Sequence, residues 1–302
     1  MKKAEEMREK FRKMMFESDQ LTNMVVVPDV LAAKVAEQQG FKALFVAGYA
    51  ASADLLGLPD RGVLDFNQQL DQLNRVCQAV NVPVFADADT GYGDVENVKR
   101  TVQAFEQAGA VGLFLEDQQW PKRCGHMAGK QLVPAEELEA KLRAAVEARH
   151  HDNFLIMSRT DARQSYGLEE AINRSKRYKA AGADMVFVEA PQSKDELRQV
   201  VKEFPDVPLM ANMIEGGDTP LTSADELEKM GYRILVHPND LTYVDAYADR
   251  MLLNELHTTG KTDHSQDRMI EFPEFNQMVG LDKLNSLDQQ YSNESMKEYL
   301  NN

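Results

Sequence analysis

Between residues 22 and 256, short apolar runs alternate with longer stretches in which polar and apolar residues share helical spacing. The runs cover 23–27, 43–47, 82–86, 111–115, 154–158, 185–188, 208–211 and 232–236. They are apolar almost throughout, the pattern of strands buried on both faces beneath a layer of helices. The stretches 30–39, 66–80, 95–107, 135–150, 168–181, 194–204, 223–230 and 241–256 repeat their apolar positions at helical period. Gly40, Gly109, Gly182 and Gly231 fall between a helical stretch and the next apolar run, where a left-handed cap is common.

Strand followed by helix, eight times over, predicts an α/β fold of the (β/α)8 TIM barrel kind. An open doubly wound sheet is the alternative. It usually carries a glycine-rich phosphate turn after its first strand, and Pro28-Asp29-Val30 stands there instead. Met7, Phe11, Met14 and Met15 predict a helix within 1–21 that docks on the body. After a polar break at 258–267, Phe272, Phe275, Met278 and Val279 predict an appended apolar helix that packs on a neighbour, a partner subunit being a reasonable one. No linker composition interrupts the chain, so one domain is expected over 1–302: helix 1–21, barrel 22–257 and helical extension 258–302.

Charge narrows the partners. The net charge is −15, with 34 basic against 49 acidic residues and no basic run, which speaks against a nucleic-acid surface. An anionic ligand must then meet a local cationic pocket or a divalent metal. Two cysteines, Cys77 and Cys124, form neither a disulfide framework nor a CxxC zinc pattern. No apolar stretch of signal-peptide or membrane-spanning kind is found, so a cytoplasmic protein without a membrane partner is expected.

Active sites of such barrels form at the carboxyl ends of the strands, and unusual polar residues gather there. Asp87 and Asp89 are two apart, which on a strand turns both carboxylates to one face. With Glu116 from the next strand they can hold Mg²⁺ or Mn²⁺. Helix capping is the plainer use of an Asp in such a turn, but the pairing and the neighbour favour metal. Arg159, at the end of a buried strand, suits a fork for a carboxylate. Glu189 either supports these groups or moves a proton itself, and both roles stay open.

Cys77 falls on a helix core face as a small hydrophobe. Cys124 lies in a polar loop beside Lys122, Arg123 and His126, where its thiol is expected to be drawn below about 8.5, fit for acid/base or nucleophilic work. No second His or Cys stands at ligand spacing from His126, so it reads as an orienting donor. His150 and His151 read as a solvated helix end and Trp120 as a loop anchor. Gly125 and Gly129 make the loop 117–134 pliable, as a lid over the barrel mouth and mobile when empty.

The strings DADTGYG, EDQ..PKRCGHM.GK, SRTDAR and ANMIEGG.TP resemble the isocitrate lyase and phosphoenolpyruvate mutase superfamily from about Val27 to Leu256. The resemblance implies a Mg²⁺-dependent barrel that cleaves a carbon-carbon bond in 2-hydroxy di- or tricarboxylates, with its last helix exchanged between subunits of a homotetramer. It places Asp87, Asp89 and Glu116 on the metal, with Asp60 in support. Lys122, Cys124 and His126 match a gating loop whose cysteine protonates the leaving carbanion. Arg159, Glu189 and Asn212 match substrate-binding positions, and Ala47, Gly48 and Tyr49 match the turn that cradles the pyruvate half. The methylisocitrate-cleaving branch has Ser-Gly-Gly at that turn and an arginine where this chain has Tyr243. GYAASADLLGLPD and NMIEGG are closer to the branch that cleaves 2,3-dimethylmalate and related alkylmalates.

The expected reaction is therefore a lyase cleavage of such a small-molecule carboxylate to pyruvate and a second carboxylate, with Tyr49 and Glu189 as the candidates for taking up the hydroxyl proton. Hydrolysis or decarboxylation of oxaloacetate on the same metal site is the alternative within enzymes. A catalytically silent dicarboxylate-binding barrel is the alternative outside them, although such a chain is expected to have lost the thiol or an aspartate.

Overall fold

The computed structural model describes residues 2–292. Eight parallel strands close into a barrel in chain order. They are β1 (Thr22–Val26), β2 (Ala43–Val46), β3 (Val84–Asp87), β4 (Gly112–Glu116), β5 (Leu155–Thr160), β6 (Met185–Val188), β7 (Leu209–Asn212) and β8 (Ile234–His237). β8 returns to pair with β1, which completes the (β/α)8 barrel and excludes the open sheet.

A helix precedes the barrel and others alternate with or follow its strands. These are α1 (Lys2–Phe16), α2 (Val30–Gln38), α3 (Gly48–Leu56), α4 (Phe66–Ala79), α5 (Val95–Ala108), α6 (Ala135–Ala148), α7 (Ala162–Tyr166), α8 (Leu168–Ala180), α9 (Lys194–Glu203), α10 (Ala224–Met230) and α11 (Asp240–Thr259). Asp65 and Asp94 open α4 and α5 with capping boxes, and Gly109 and Gly231 close α5 and α10 in the left-handed region. Two helices escaped the sequence pattern. α3 has no side-chain cap at Ala47 and occupies what reads as a polar rim, and α7 is a five-residue turn of helix.

Alternation along the strands sorts side chains into two cores. Val84, Ala86, Leu113, Leu115 and Ile156 face the helices. Phe45, Phe85, Phe114, Met157, Phe187 and Met210 fill the barrel. Met7, Phe11 and Met15 of α1 join this second group, with the Phe11 ring 5.7 Å from that of Phe85, so α1 closes the floor of the barrel. That is a deeper burial than docking on the body, since Phe11 has no exposed surface.

The contacts separate the chain into two compact units, Met1–Val244 and Asp245–Asn302, with the boundary inside α11. In the second unit α12 (Phe272–Val279) and α13 (Leu281–Gln290) follow. The appended helix forms where its apolar spacing predicts, but Phe272 is 82% exposed and no residue of α12 or α13 is buried. The part of the extension over 293–302 lies outside the described residues.

His150 and His151 are not simply solvated. Both backbone N–H groups and both Nδ1 atoms engage the buried Glu106 carboxylate. No helix among the described residues is long and apolar enough to cross a membrane.

Candidate active site

The inward rows of the barrel end in charge. On β3 the row runs Phe85, Asp87, Asp89; on β4, Phe114, Glu116; on β5, Met157, Arg159, Asp161. On β6 it runs Phe187, Glu189 and on β7, Met210, Asn212. The two-residue period that fills the barrel with rings thus lifts these polar groups to its carboxyl mouth. The Arg159 guanidinium lies over the Phe114 and Phe187 rings, 5.4 and 5.5 Å from their centroids. Asp89 and Ala190 hold φ at +48° and +57°, left-handed conformations that cost about 1–3 kcal/mol in residues other than glycine and cluster where function demands them.

The loop 117–134 covers this mouth. Its ends are zipped: Gln119 N–H donates to the Gln131 carbonyl, Val133 N–H to that of Asp117, and Gln118 bridges to Leu132. The tip reaches inward at several points. Lys122 Nζ lies 2.7 Å from Asp60 Oδ1 and 2.6 Å from Asp89 Oδ1. Cys124 N–H donates to the Asp60 carbonyl. His126 accepts at Nδ1 from the Asp218 N–H, 2.9 Å away, so the neutral ring carries its proton on Nε2 and donates it to Glu189 Oε1 at 2.9 Å.

Gly125 is less a hinge than a close approach. A Cβ there would stand 2.5 Å from Arg159 Nη2 and 2.6 Å from Glu189 Cγ. Gly129, at φ +77°, is a true turn position, with Arg123 Nη1 2.7 Å from where its Cβ would be. Trp120, 45% exposed, rests its ring against the turn at Gly62 and lines a cavity of about 1110 Å³ with Phe66 and Leu132. That larger cavity is set apart from the inward rows. The chemistry surrounds a smaller one of about 40 Å³, lined by Ala47, Tyr49, Asp87, Cys124, Arg159, Glu189 and Asn212 among others. It holds a few waters at most, since one water needs roughly 10–15 Å³.

The expected site residues therefore converge. Ala47 forms wall, Gly48 N–H donates to Asp87 Oδ2 at 3.1 Å, and Asn212 Nδ2 donates to Glu189 Oε2 at 3.2 Å. The Tyr49 hydroxyl pairs with that of Tyr243 at 3.1 Å, which also takes a bond from Asn239 Nδ2. Two residues not singled out from sequence complete the set. Asp161 accepts Arg159 at Nε and Nη2, 3.0 and 3.1 Å, and Lys130 Nζ stands 3.0 Å from the same carboxylate. Asp161 follows Arg159 at the strand period, the signal that pairs Asp87 with Asp89, and both Asp161 and Lys130 lie inside the conspicuous strings.

Electrostatics reverses one expectation. Burial pushes the Cys124 thiol up to about 11, with Asp60 and Glu189 adding to the rise against a backbone hydrogen bond and Arg159. Of its sequence neighbours, Lys122 is committed to Asp60 and Asp89 and Arg123 Nη1 to the Ala128 carbonyl, and the backbone of His126, which does pull the thiol down, is outweighed by burial. Burial also lifts Tyr49 well up, so it remains a phenol. Glu189 goes the other way. Burial works against its charge, but Arg159 and His126 outweigh it and hold its pKa below the usual range.

Carboxylate is in surplus here. Asp60, Asp87, Asp89, Glu116, Asp161 and Glu189, all buried, face the cations of Lys122, Lys130 and Arg159. Burial, with Asp87 and Asp60 against Lys122, raises Asp89 to about 7, and burial lifts Glu116 well above its usual range. Neither Glu116 oxygen has a hydrogen-bond partner, the nearest cation being Arg159 Nη1 at 3.3 Å. Among the described residues no three acidic, His or Cys side chains form a ready-made metal shell. An oxygen-rich cluster with an orphaned carboxylate nevertheless has the chemistry that a hard divalent cation favours.

Comparison with known proteins agrees with this geometry. Residues 11–255 match the phosphoenolpyruvate phosphomutase sequence family. The chain is 43% identical over 272 residues to 2,3-dimethylmalate lyase of Eubacterium barkeri, covering 89% of this chain and 94% of that one. It is 46% identical over 269 residues to the chloroplastic carboxyvinyl-carboxyphosphonate phosphorylmutase of Arabidopsis thaliana, covering 88% and 79%. Among solved structures, 2,3-dimethylmalate lyase, described as a PEP mutase/isocitrate lyase superfamily member, superposes with a TM-score of 0.89 at 33% identity over 94% of this chain and 95% of its own. Oxaloacetate acetylhydrolase in complex with the inhibitor 3,3-difluorooxalacetate gives 0.88 at 33% identity over 93% and 96%. With its closed barrel, acidic mouth and cysteine loop, the chain belongs to the phosphoenolpyruvate mutase/isocitrate lyase superfamily.

Proposed function

We propose that this protein is a divalent-metal-dependent carbon-carbon lyase that cleaves a 2-hydroxy dicarboxylate of the alkylmalate class, such as 2,3-dimethylmalate, to pyruvate and a second carboxylate. The observation that carries the reading is the position of the Cys124 thiol, held by the covering loop in one cavity with Arg159, Asp60, Asp87 and Glu189. Asp87, Asp89 and Glu116 would hold Mg²⁺ or Mn²⁺, with Asp60 in support. Bound there, the ion would supply electrophilic stabilisation for the oxygen at C2 as its hydroxyl proton leaves.

The chain's own residues do the rest. As the bond between C2 and C3 opens, its electron pair moves onto C3 and towards the carboxylate that C3 bears, while C2 becomes the carbonyl carbon of pyruvate. Arg159 offsets that negative charge, while Lys122 holds Asp60 and Asp89 in place and His126 does the same for Glu189 from Nε2. Cys124, a thiol at neutral pH, hands its proton to C3. The proton lost from the C2 hydroxyl needs an ionised acceptor. Tyr49 stays a phenol, so of the two candidates Glu189 is the one that stands as a carboxylate.

Substrate class follows from the rim. Tyr49, Tyr243 and Asn239 offer hydroxyl and amide groups without a further cation, which suits two carboxylates better than three. Phe45, Phe114, Ile214 and Pro238 leave apolar wall for alkyl substituents. A dicarboxylate is therefore preferred over 2-methylisocitrate. The likeness to oxaloacetate acetylhydrolase supports a second reading, hydrolysis of oxaloacetate to oxalate and acetate on the same cluster.

A screen separates these readings. The protein is incubated with 2,3-dimethylmalate, 2-methylisocitrate, isocitrate or oxaloacetate, with Mg²⁺ or with EDTA, and pyruvate, oxalate and acetate are assayed. Metal-dependent pyruvate release from the alkylmalate is expected. Oxalate and acetate from oxaloacetate alone would replace the lyase reading with the hydrolase one, and silence on all four would leave a binding protein. We further propose a cytoplasmic homotetramer, checked by light scattering and cell fractionation.

A further inference from the structure

Lys130 is buried at the far side of the covering loop, and neither its side chain nor that of Asp161 exposes any surface. Its ammonium makes two bonds. One goes to the backbone carbonyl of Gly125, the residue between Cys124 and His126, and the other to Asp161 Oδ1 at 3.0 Å. Asp161 is itself fixed, because its N–H donates to Asp117 Oδ1 at 2.9 Å. The same carboxylate holds Arg159 in a two-point grip. One buried cation thus ties the loop tip to the group that orients Arg159.

We propose that Lys130 is a positioning residue, a clasp that holds the loop closed and sets Cys124 against Arg159. Three physical points support it. A buried ammonium is costly to desolvate and is weak grounds for stability, so its retention asks for another reason. The cavity beneath the closed loop is too small for a hydroxy acid, so the loop must lift for each turnover. Lys130 and Gly125 both belong to that loop, so lifting it pulls Lys130 from Asp161, which then keeps Arg159 as its remaining cationic partner on the barrel wall. A second charged latch of the loop, Lys122, grips Asp60 and Asp89, whereas Lys130 grips Asp161.

The kinetic part of this inference rests on the lyase reading; the labelling part does not. The chain carries its own control, since Cys77 is buried in α4 and Cys124 lies in the loop. Iodoacetamide is added to full-length wild type and Lys130→Met at pH 8, and each cysteine is followed by mass spectrometry. Cys124 labelling at least about tenfold faster in the variant, with Cys77 unchanged, is expected. With 2,3-dimethylmalate, kcat should fall at least about tenfold while KM moves far less.

If Lys130→Met also opens Cys77, Lys130→Gln carries the test, because it keeps a donor for the Gly125 carbonyl without the charge. Cys124 labelling within about twofold of wild type in a variant whose Cys77 stays shielded would overturn the clasp, as would exposure of Cys77 in both variants. Faster Cys124 labelling in an enzyme that turns over none of the hydroxy acids would instead retire the lyase reading and leave the clasp standing.

Discussion

The backbone of Gly125 passes so near Arg159 that a methyl group on it would lie 2.5 Å from Nη2, inside contact distance. Gly125→Ala should therefore block full closure without touching the core. Turnover is expected to fall by about 100-fold, the scale of a reacting group misplaced by an ångström. The melting temperature should stay within about a degree, since the loop can relax outward. Steady-state kinetics beside a thermal melt tests this, and unchanged kcat would remove Gly125 from the account.

Removing the proton donor is more direct. Cys124→Ser should cost about 10²–10⁴ in kcat, the span of general acid catalysis, and spare binding. Pyruvate with Mg²⁺ should still raise the melting temperature of the variant. Near-normal turnover would assign the proton to another group.

The same sulfur predicts a pH profile. With burial holding its pKa up near 11, the thiolate fraction grows tenfold per pH unit through the neutral and mildly alkaline range. Alkylation of Cys124 should keep rising beyond pH 9.5. A plateau near pH 8.5 would mean that the sulfur is solvated and the loop open in solution.

Glu116, with both oxygens unpartnered, is expected to be the position most sensitive to metal. Mg²⁺ should raise the wild-type melting temperature and restore activity after EDTA, and Glu116→Gln should lose both responses. Without metal the variant should be about as stable as wild type, because the desolvation cost of a buried carboxyl that lacks hydrogen bonds offsets its attraction to Arg159. A full Mg²⁺ response in Glu116→Gln would place the ion elsewhere.

Phe11→Ala tests the barrel floor. The ring is fully buried against Phe85, and its loss should lower unfolding free energy by about 3–5 kcal/mol in urea titration. A smaller change, under about 1 kcal/mol, would mean that α1 is peripheral.

Much of this was legible in the order of residue types. The run 185–188 is β6 to the residue, and the other strands shift by one or two positions, mostly because polar residues such as Asp87, Glu116, Asn212 and His237 extend the ladder beyond the apolar run. The convergence of Asp87, Asp89, Glu116, Arg159 and Glu189 follows from a two-residue period that anyone can count. What escaped depends on distance through space. Lys122 and Arg123 adjoin Cys124 in sequence, yet each spends its charge on other partners, so the thiol is governed by burial rather than by its neighbours. Lys130 and Asp161 stand 31 positions apart, and no local pattern announces that they meet.

With α1 corking the barrel from below, arrival and departure fall to the opposite mouth, the one that residues 117–134 cover. Two fragments leave where one molecule came in, and the fragment held deeper must wait for the other.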